Sequence, residues 1–119
     1  MNLVSIRLIT DDVNRLVGFY EKATGLTAHW FTEDFAELNT ARGTLAIGSA
    51  RTAPGITPAA NRSAIIEFLV DDVDALELPG RPNTMPWGNR SLLTPDPDGN
   101  VVNFFTPVTE VAKAKFGLS

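Results

Sequence analysis

The chain has 119 residues, 44% hydrophobic and 20% charged, a composition that suits one compact globular domain able to bury a core without disulfides. With 14 acidic against 10 basic residues, a net charge of −4 and no long single-sign block, a phosphate-backbone partner is not expected. The lack of cysteine excludes thiolate chemistry, and without a basic-then-apolar leader or an apolar run near the ~18 residues of a membrane span, the cytoplasm is the expected location and a membrane partner is not expected.

The first stretch, "NLVSIRLIT" at 2–10, alternates: Val4, Ile6 and Leu8 fall on one face, and Leu3, Ser5, Arg7 and Ile9 on the other. That period predicts a strand with one apolar face. "DDVNRLVGFYEKATG" follows, with Asp11 or Asp12 as N-cap, Val13, Leu16, Val17, Tyr20 and Ala23 at helical spacing, and Gly25 as the stop, which predicts an amphipathic helix of about three turns. Short strands are predicted over about 27–32, 34–40 and 43–49, so the first module, about 1–49, reads βαβββ. Residues 50–63 hold two prolines and a glycine without periodicity and predict a linker or flap.

Beyond the linker the pattern restarts. "ITDDVNRL" at 9–16 matches "LVDDVDAL" at 69–76, aligning Asp11 with Asp71, Asp12 with Asp72, Val13 with Val73 and Leu16 with Leu76 at a spacing of 60 (69 − 9). The hairpin segments Gly43–Ile47 and Gly99–Asn103 match at a spacing of 56 (99 − 43), so the second module, about 64–107, has lost residues in its helix, where Pro79 and Gly80 intervene. The expected class is therefore α+β: two βαβββ modules in one domain, the second helix shortened, with a C-terminal tail at 108–119. A stunted helix leaves one side of the second module thinly covered, and the tail "TEVAKAKFG" or a partner subunit is expected to lie there.

The doubled βαβββ unit, "FY" on the first helix, "VDDVDA" opening the second unit and "PWGNRSLLTPDPDGNVVNFFTP" near the end together resemble the glyoxalase/bleomycin-resistance/extradiol-dioxygenase superfamily, also called vicinal oxygen chelate. The resemblance covers nearly the whole chain. It implies curved mixed sheets around a cleft, helices outside, frequent homodimers and, in metal-dependent relatives, four inward ligands of His, Glu or Gln type. The family's spacing from Phe19-Tyr20 puts Ser5 at the first ligand position and the repeat puts Ile65 at its partner; counting past Gly99 puts Asn103 at the last, with Ile47 opposite. Two isoleucines, a hydroxyl and a neutral amide supply no imidazole and no anionic donor, so no metal and no other cofactor is expected.

With Ser5 inward, alternation also turns Arg7, Ile9, Ile65, Glu67, Leu69, Val101, Asn103 and Phe105 inward. Val4, Ile6, Leu8, Ile66, Phe68, Val70, Val102 and Phe104 then point to the helices. Arg7 and Glu67 occupy equivalent places in the two copies, and either a structural ion pair or contact with a polar ligand accounts for them. The lone His29, with Trp30, Phe31, Trp87 and Phe105, offers ring surface for a planar or cationic ligand, although each aromatic is equally a core residue by type. Glu37, Arg90 and the 50–63 flap are weaker candidates that a solvated surface also explains.

The function expected on this footing is metal-free binding of a small molecule, as in bleomycin-resistance proteins, sequestering an aromatic or cationic antibiotic or metabolite; the ligand-binding candidates are Ser5, Arg7, His29, Trp30, Phe31, Ile47, Ile65, Glu67, Trp87, Asn103 and Phe105. The alternatives are a glyoxalase- or dioxygenase-like lyase or oxidoreductase, metal-dependent or with Glu67 or His29 as acid/base, and an accessory module kept for assembly. A small-molecule ligand and a second copy of the chain are the expected partners.

Overall fold

The computed structural model describes residues 1–61 and 63–118. The chain divides into two compact units, Met1–Ala60 and one that begins at Asn61, so the boundary falls within the stretch expected as a linker. Position 62 of that linker and position 119 of the tail lie outside the described residues.

In the first unit, β1 (Ser5–Thr10), α1 (Val13–Thr24), β2 (His29–Thr32), β3 (Phe35–Asn39) and β4 (Thr44–Ser49) follow the predicted order, and the strands form one sheet in the order β1-β4-β3-β2. The parallel pairing of β1 with β4 needs a crossover, and α1 with the β2–β3 hairpin provides it. Asp12 is the N-cap, its Oδ1 accepting from the Arg15 N–H at 3.1 Å. Gly25 ends the helix at φ 75, a left-handed conformation that a Cβ would penalise, and its N–H donates to the Glu21 carbonyl at 2.9 Å. The predicted stripe Val13, Leu16, Val17, Tyr20 and Ala23 is buried in full, and α1 packs on β3 and β4. Its counterpart on the sheet is the row Leu8, Ala36, Leu38, Leu45 and Ile47, all buried. Val4 and Ile6, expected on this helix face, stay exposed where β1 begins.

The second unit repeats the plan with β5 (Ile66–Leu69), β6 (Asn83–Thr84), β7 (Asn89–Pro95) and β8 (Val101–Pro107) in the order β5-β8-β7-β6, and β5 is parallel to β8. The shortened helix is a single 3-10 turn, Val73–Ala75, capped by Asp72 and ended as Leu76 turns extended at ψ 134 ahead of Pro79 and Gly80. Thr106 pins that turn to the sheet: its hydroxyl donates to the Val70 carbonyl at 3.0 Å and accepts from the Val73 N–H at 2.9 Å. On the same face Val73, Leu92, Val102 and Phe104 are buried, and Phe68 stacks on Phe104 at 5.5 Å.

The expected linker holds a 3-10 turn of its own, Ala50–Thr52, capped by Ser49 and tied by Arg51 to Asp34 on the β2–β3 hairpin. The tail forms α2 (Glu110–Lys115), and its one aromatic turns away from the side where the tail or a partner subunit was expected. Phe116, just past α2, packs on Phe105 with ring centroids 5.3 Å apart, and Phe105 points away from the face on which Thr106 holds the 3-10 turn. Phe116 therefore covers part of the opposite face of its sheet. Among the described residues no helix is long and apolar enough to cross a membrane.

Candidate functional site

Each sheet has a face turned from its own helix or 3-10 turn, here the far face, and most of the candidate residues stand there. In the first unit the register aligns Arg7 with Ala46, Ala46 with Glu37, and Glu37 with His29, so these four share the far face. Phe31 joins them, because its ring meets His29 edge-on at 4.5 Å and Phe35 at 5.8 Å. The Arg7 guanidinium sits 5.9 Å from the Phe35 ring centroid, within cation–π range. Ser5 opens the same row, exposed, beside Thr44. The result is an aromatic platform, His29–Phe31–Phe35, flanked by one cation. Phe31 is 58% exposed and His29 is exposed beside it, while Phe35 is half-buried.

Two candidates leave this face. Trp30 pairs with Ala36, a fully buried residue on the α1 side, so alternation turns it from Phe31 and removes it from the platform. A register irregularity between Trp30 and Thr32 marks the place. Ile47 is the larger correction. It pairs with Leu8 and Ala36 and is 0% exposed on the α1 face, so it is core and lines nothing. Since Arg7 pairs with Ala46 while Glu67 pairs with Asn103, the equivalent of Asn103 is Ala46, a spacing of 57 (103 − 46). The hairpin match at 56 is one residue out of register. One residue is enough to turn a strand over.

In the second unit Glu67 and Asn103 are register partners on the far face, with Leu93 on the other side of Asn103. The Asn103 Nδ2 donates to Glu67 Oε2 at 2.9 Å, a charge-assisted bond that fixes which way the carboxamide points. The reverse orientation would set two acceptors against each other. Asn103 is only 6% exposed, and its Oδ1 is buried without a hydrogen-bond partner. An unmatched buried acceptor of this kind costs about 1–3 kcal/mol. Within its own unit Arg7 faces the Phe35 ring, and Glu67 within its own accepts from Asn103. Phe105, also on the far face, is taken up by Phe116 and is 6% exposed.

Ile65 stands just before β5 and is exposed. Trp87 does not join the far face of β8: it lies in the Met85–Gly88 turn before β7, exposed, where the Gly88 N–H donates to the Met85 carbonyl at 2.9 Å. Sequence reasoning missed Phe35 and Phe116. Phe35 was visible as a residue alternating with Glu37, but the contact of Phe116 with Phe105 depends on which face the tail chooses, and no periodicity encodes that.

The metal expected of many relatives does not fit these residues. The family's ligand positions hold the Ser5 hydroxyl, the Ala46 methyl in the observed register, Ile65 and the Asn103 amide, whose Nδ2 is committed to Glu67. Neither an imidazole nor a carboxylate stands at any of them, and among the described residues no three His, Cys, Asp or Glu side chains gather. The ionisable groups with displaced titration lie elsewhere. The Arg51 guanidinium holds the Asp34 carboxyl below the usual range, and Arg90 does the same for Asp74. Both pairs fasten loops.

The sequence profile of the Glyoxalase/Bleomycin resistance protein/Dioxygenase superfamily matches residues 2–104. Among solved structures, a glyoxalase/bleomycin resistance protein/dioxygenase family enzyme from Burkholderia phytofirmans PsJN aligns with a TM-score of 0.75 at 16% identity, over 91% of this chain and 100% of that one. A glyoxalase-related enzyme from Fulvimarina pelagi gives 0.72 at 14% identity over 92% and 94%. A lactoylglutathione lyase from Agrobacterium tumefaciens gives 0.64 at 21% over 87% and 92%. No curated protein matches. At such identities the structural likeness establishes the fold alone. The profile match spans most of the sequence, and the chain belongs to the glyoxalase/bleomycin resistance protein/dioxygenase superfamily.

Proposed function

We propose that the protein binds an aromatic or cationic small molecule without the help of a metal, sequestering it in the manner of a bleomycin-resistance protein rather than transforming it. The observation that carries this reading is the platform on the first unit's far face. Phe31 presents an exposed ring braced edge-on by His29 and by Phe35, in a sheet whose core is already complete on the other side. Such a ring adds nothing to that core, and a planar ligand stacked on it gains contact area at little ordering cost. The donor chemistry at Ser5, Ala46, Ile65 and Asn103 supports the metal-free part of the reading.

The test is quenching of tryptophan fluorescence by a panel of aromatic and cationic antibiotics, with protein dialysed against a chelator. At least one compound is expected to bind with a Kd below ~100 μM, unchanged by the chelator, and Phe31→Ala is expected to weaken it about tenfold. Binding that returns only when a divalent metal is restored, or a panel of which no member binds by calorimetry, would overturn the reading.

A further inference from the structure

The second unit's far face carries a polar pair that the aromatic platform does not use. Glu67 is exposed and has one carboxylate oxygen, Oε2, bonded to Asn103 Nδ2, which leaves Oε1 free to accept. Asn103 is buried, and its Oδ1 has no partner. These two residues are register partners on adjacent parallel strands, and the 2.9 Å bond between Asn103 Nδ2 and Glu67 Oε2 holds their two side-chain heads side by side.

We propose that Glu67 and Asn103 form an acceptor subsite for a forked N–H donor, the amidinium or guanidinium head group of a bound ligand. The inference rests on the small-molecule reading above and is argued from the second unit alone, adding a head-group chemistry that this unit by itself can recognise. A hydroxyl brings one hydrogen and no charge, so it matches the Asn103 amide or the Glu67 carboxylate but not both. A divalent cation needs more anionic donors than a single carboxylate. A planar fork brings two N–H groups in a fixed geometry and a positive charge, which fits one anionic and one neutral acceptor side by side. The Asn103 Oδ1 lies below the surface, and Glu67, exposed on a flexible stem, is the group able to shift and admit the second N–H while its own charge stays beside the fork.

Three probes of one shape separate the contributions: benzamidinium has charge and N–H donors, benzamide has donors only, and methyl benzoate has neither. Calorimetry is expected to rank them in that order, with benzamidinium about tenfold or more tighter than methyl benzoate, the scale of one charged hydrogen bond. Asn103→Leu and Glu67→Gln are each expected to shrink that ratio towards one while methyl benzoate binding persists. Because Glu67 is exposed, Glu67→Gln keeps the test valid should Asn103→Leu fail to fold. The side-chain amide resonance of Asn103, assigned by its loss in Asn103→Leu, should move with benzamidinium and with methylguanidinium, which has no ring. Equal affinity for the three probes, a ratio unchanged in the variants, or an amide resonance that none of the probes moves would each overturn the subsite. If methylguanidinium moves that resonance while no aromatic probe stacks on the first unit, the subsite stands and the aromatic reading falls.

Discussion

The two units share one strand order and differ in what covers each side of the sheet. The first lays a twelve-residue helix, α1, on its sheet and leaves the far face to Arg7, His29, Phe31, Phe35 and Glu37. The second reduces the helix to the turn Val73–Ala75 and places Phe116 against Phe105 on the far face, which also carries the Glu67–Asn103 pair. Equivalent positions on the far faces differ in polarity and charge: Arg7 stands where the second unit has Glu67, and Ala46 where it has Asn103. The helix side stays apolar in both, with Leu8 and Ile47 answering to Phe68 and Phe104. Burial of one face suffices for the fold, and the other face is where function is free to vary.

The comparison is most sharply tested through the two helical elements. Leu16 is fully buried under α1, and Leu16→Ala should cost about 2–5 kcal/mol through lost transfer energy and the cavity left behind. Val73 is almost as buried, but it is smaller and sits in a turn held by Thr106, so Val73→Ala should cost about 1–2 kcal/mol. Urea unfolding of the two variants measures both. Equal losses would mean that the 3-10 turn supports its sheet as fully as α1 does.

A smaller effect is expected at the tail. Phe116→Ala removes the ring that meets Phe105 and should cost about 1–2 kcal/mol, accompanied by faster proteolysis between α2 and the C-terminus. Stability unchanged within error would show that Phe116 merely rests on the far face, and the contrast between a bare and a capped sheet would then disappear.

How far the sequence could be read follows from the same contrast. The α1 stripe was legible in every member because apolar residues recur at helical spacing between a capping Asp12 and a left-handed Gly25. Loss of the second helix was legible from Pro79 and Gly80. The register of β4 was not, because Leu45, Ala46, Ile47 and Gly48 are all buried, with no polar alternation to say which face is which. The match was therefore anchored on the glycines Gly43 and Gly99, which sit in turns of different build, and it slipped by one residue. Asn103 was found by position, but its bond to Glu67 required the β5–β8 register, which no single strand carries.

The smallest expected effect concerns two arginine–aspartate pairs, Arg51–Asp34 in the first unit and Arg90–Asp74 in the second. Arg51 binds Asp34 and ties the start of the linker to the β2–β3 hairpin; Arg90 binds Asp74 through Nε at 2.7 Å and Nη2 at 2.9 Å and ties β7 to the 3-10 turn. In both, the arginine hydrogen bond is the chief reason that the aspartate titrates below its ordinary 3.8. A carboxyl depressed in the folded state stabilises fully above its unfolded value of 3.8 and loses that contribution as pH falls through the lower folded value. Arg90→Met and Arg51→Met should therefore lower the melting temperature slightly near neutral pH, and the difference from the parent should close well below pH 3.8 or in high salt. Both forks are bidentate, and the Arg90 variant should show the larger difference because Arg90 holds the element that replaces a helix. A difference that survives in acid would assign the loss to packing of the arginine stem instead of its charge, and equal differences at the two sites would mean that the second unit leans no harder on its ion pair than the first.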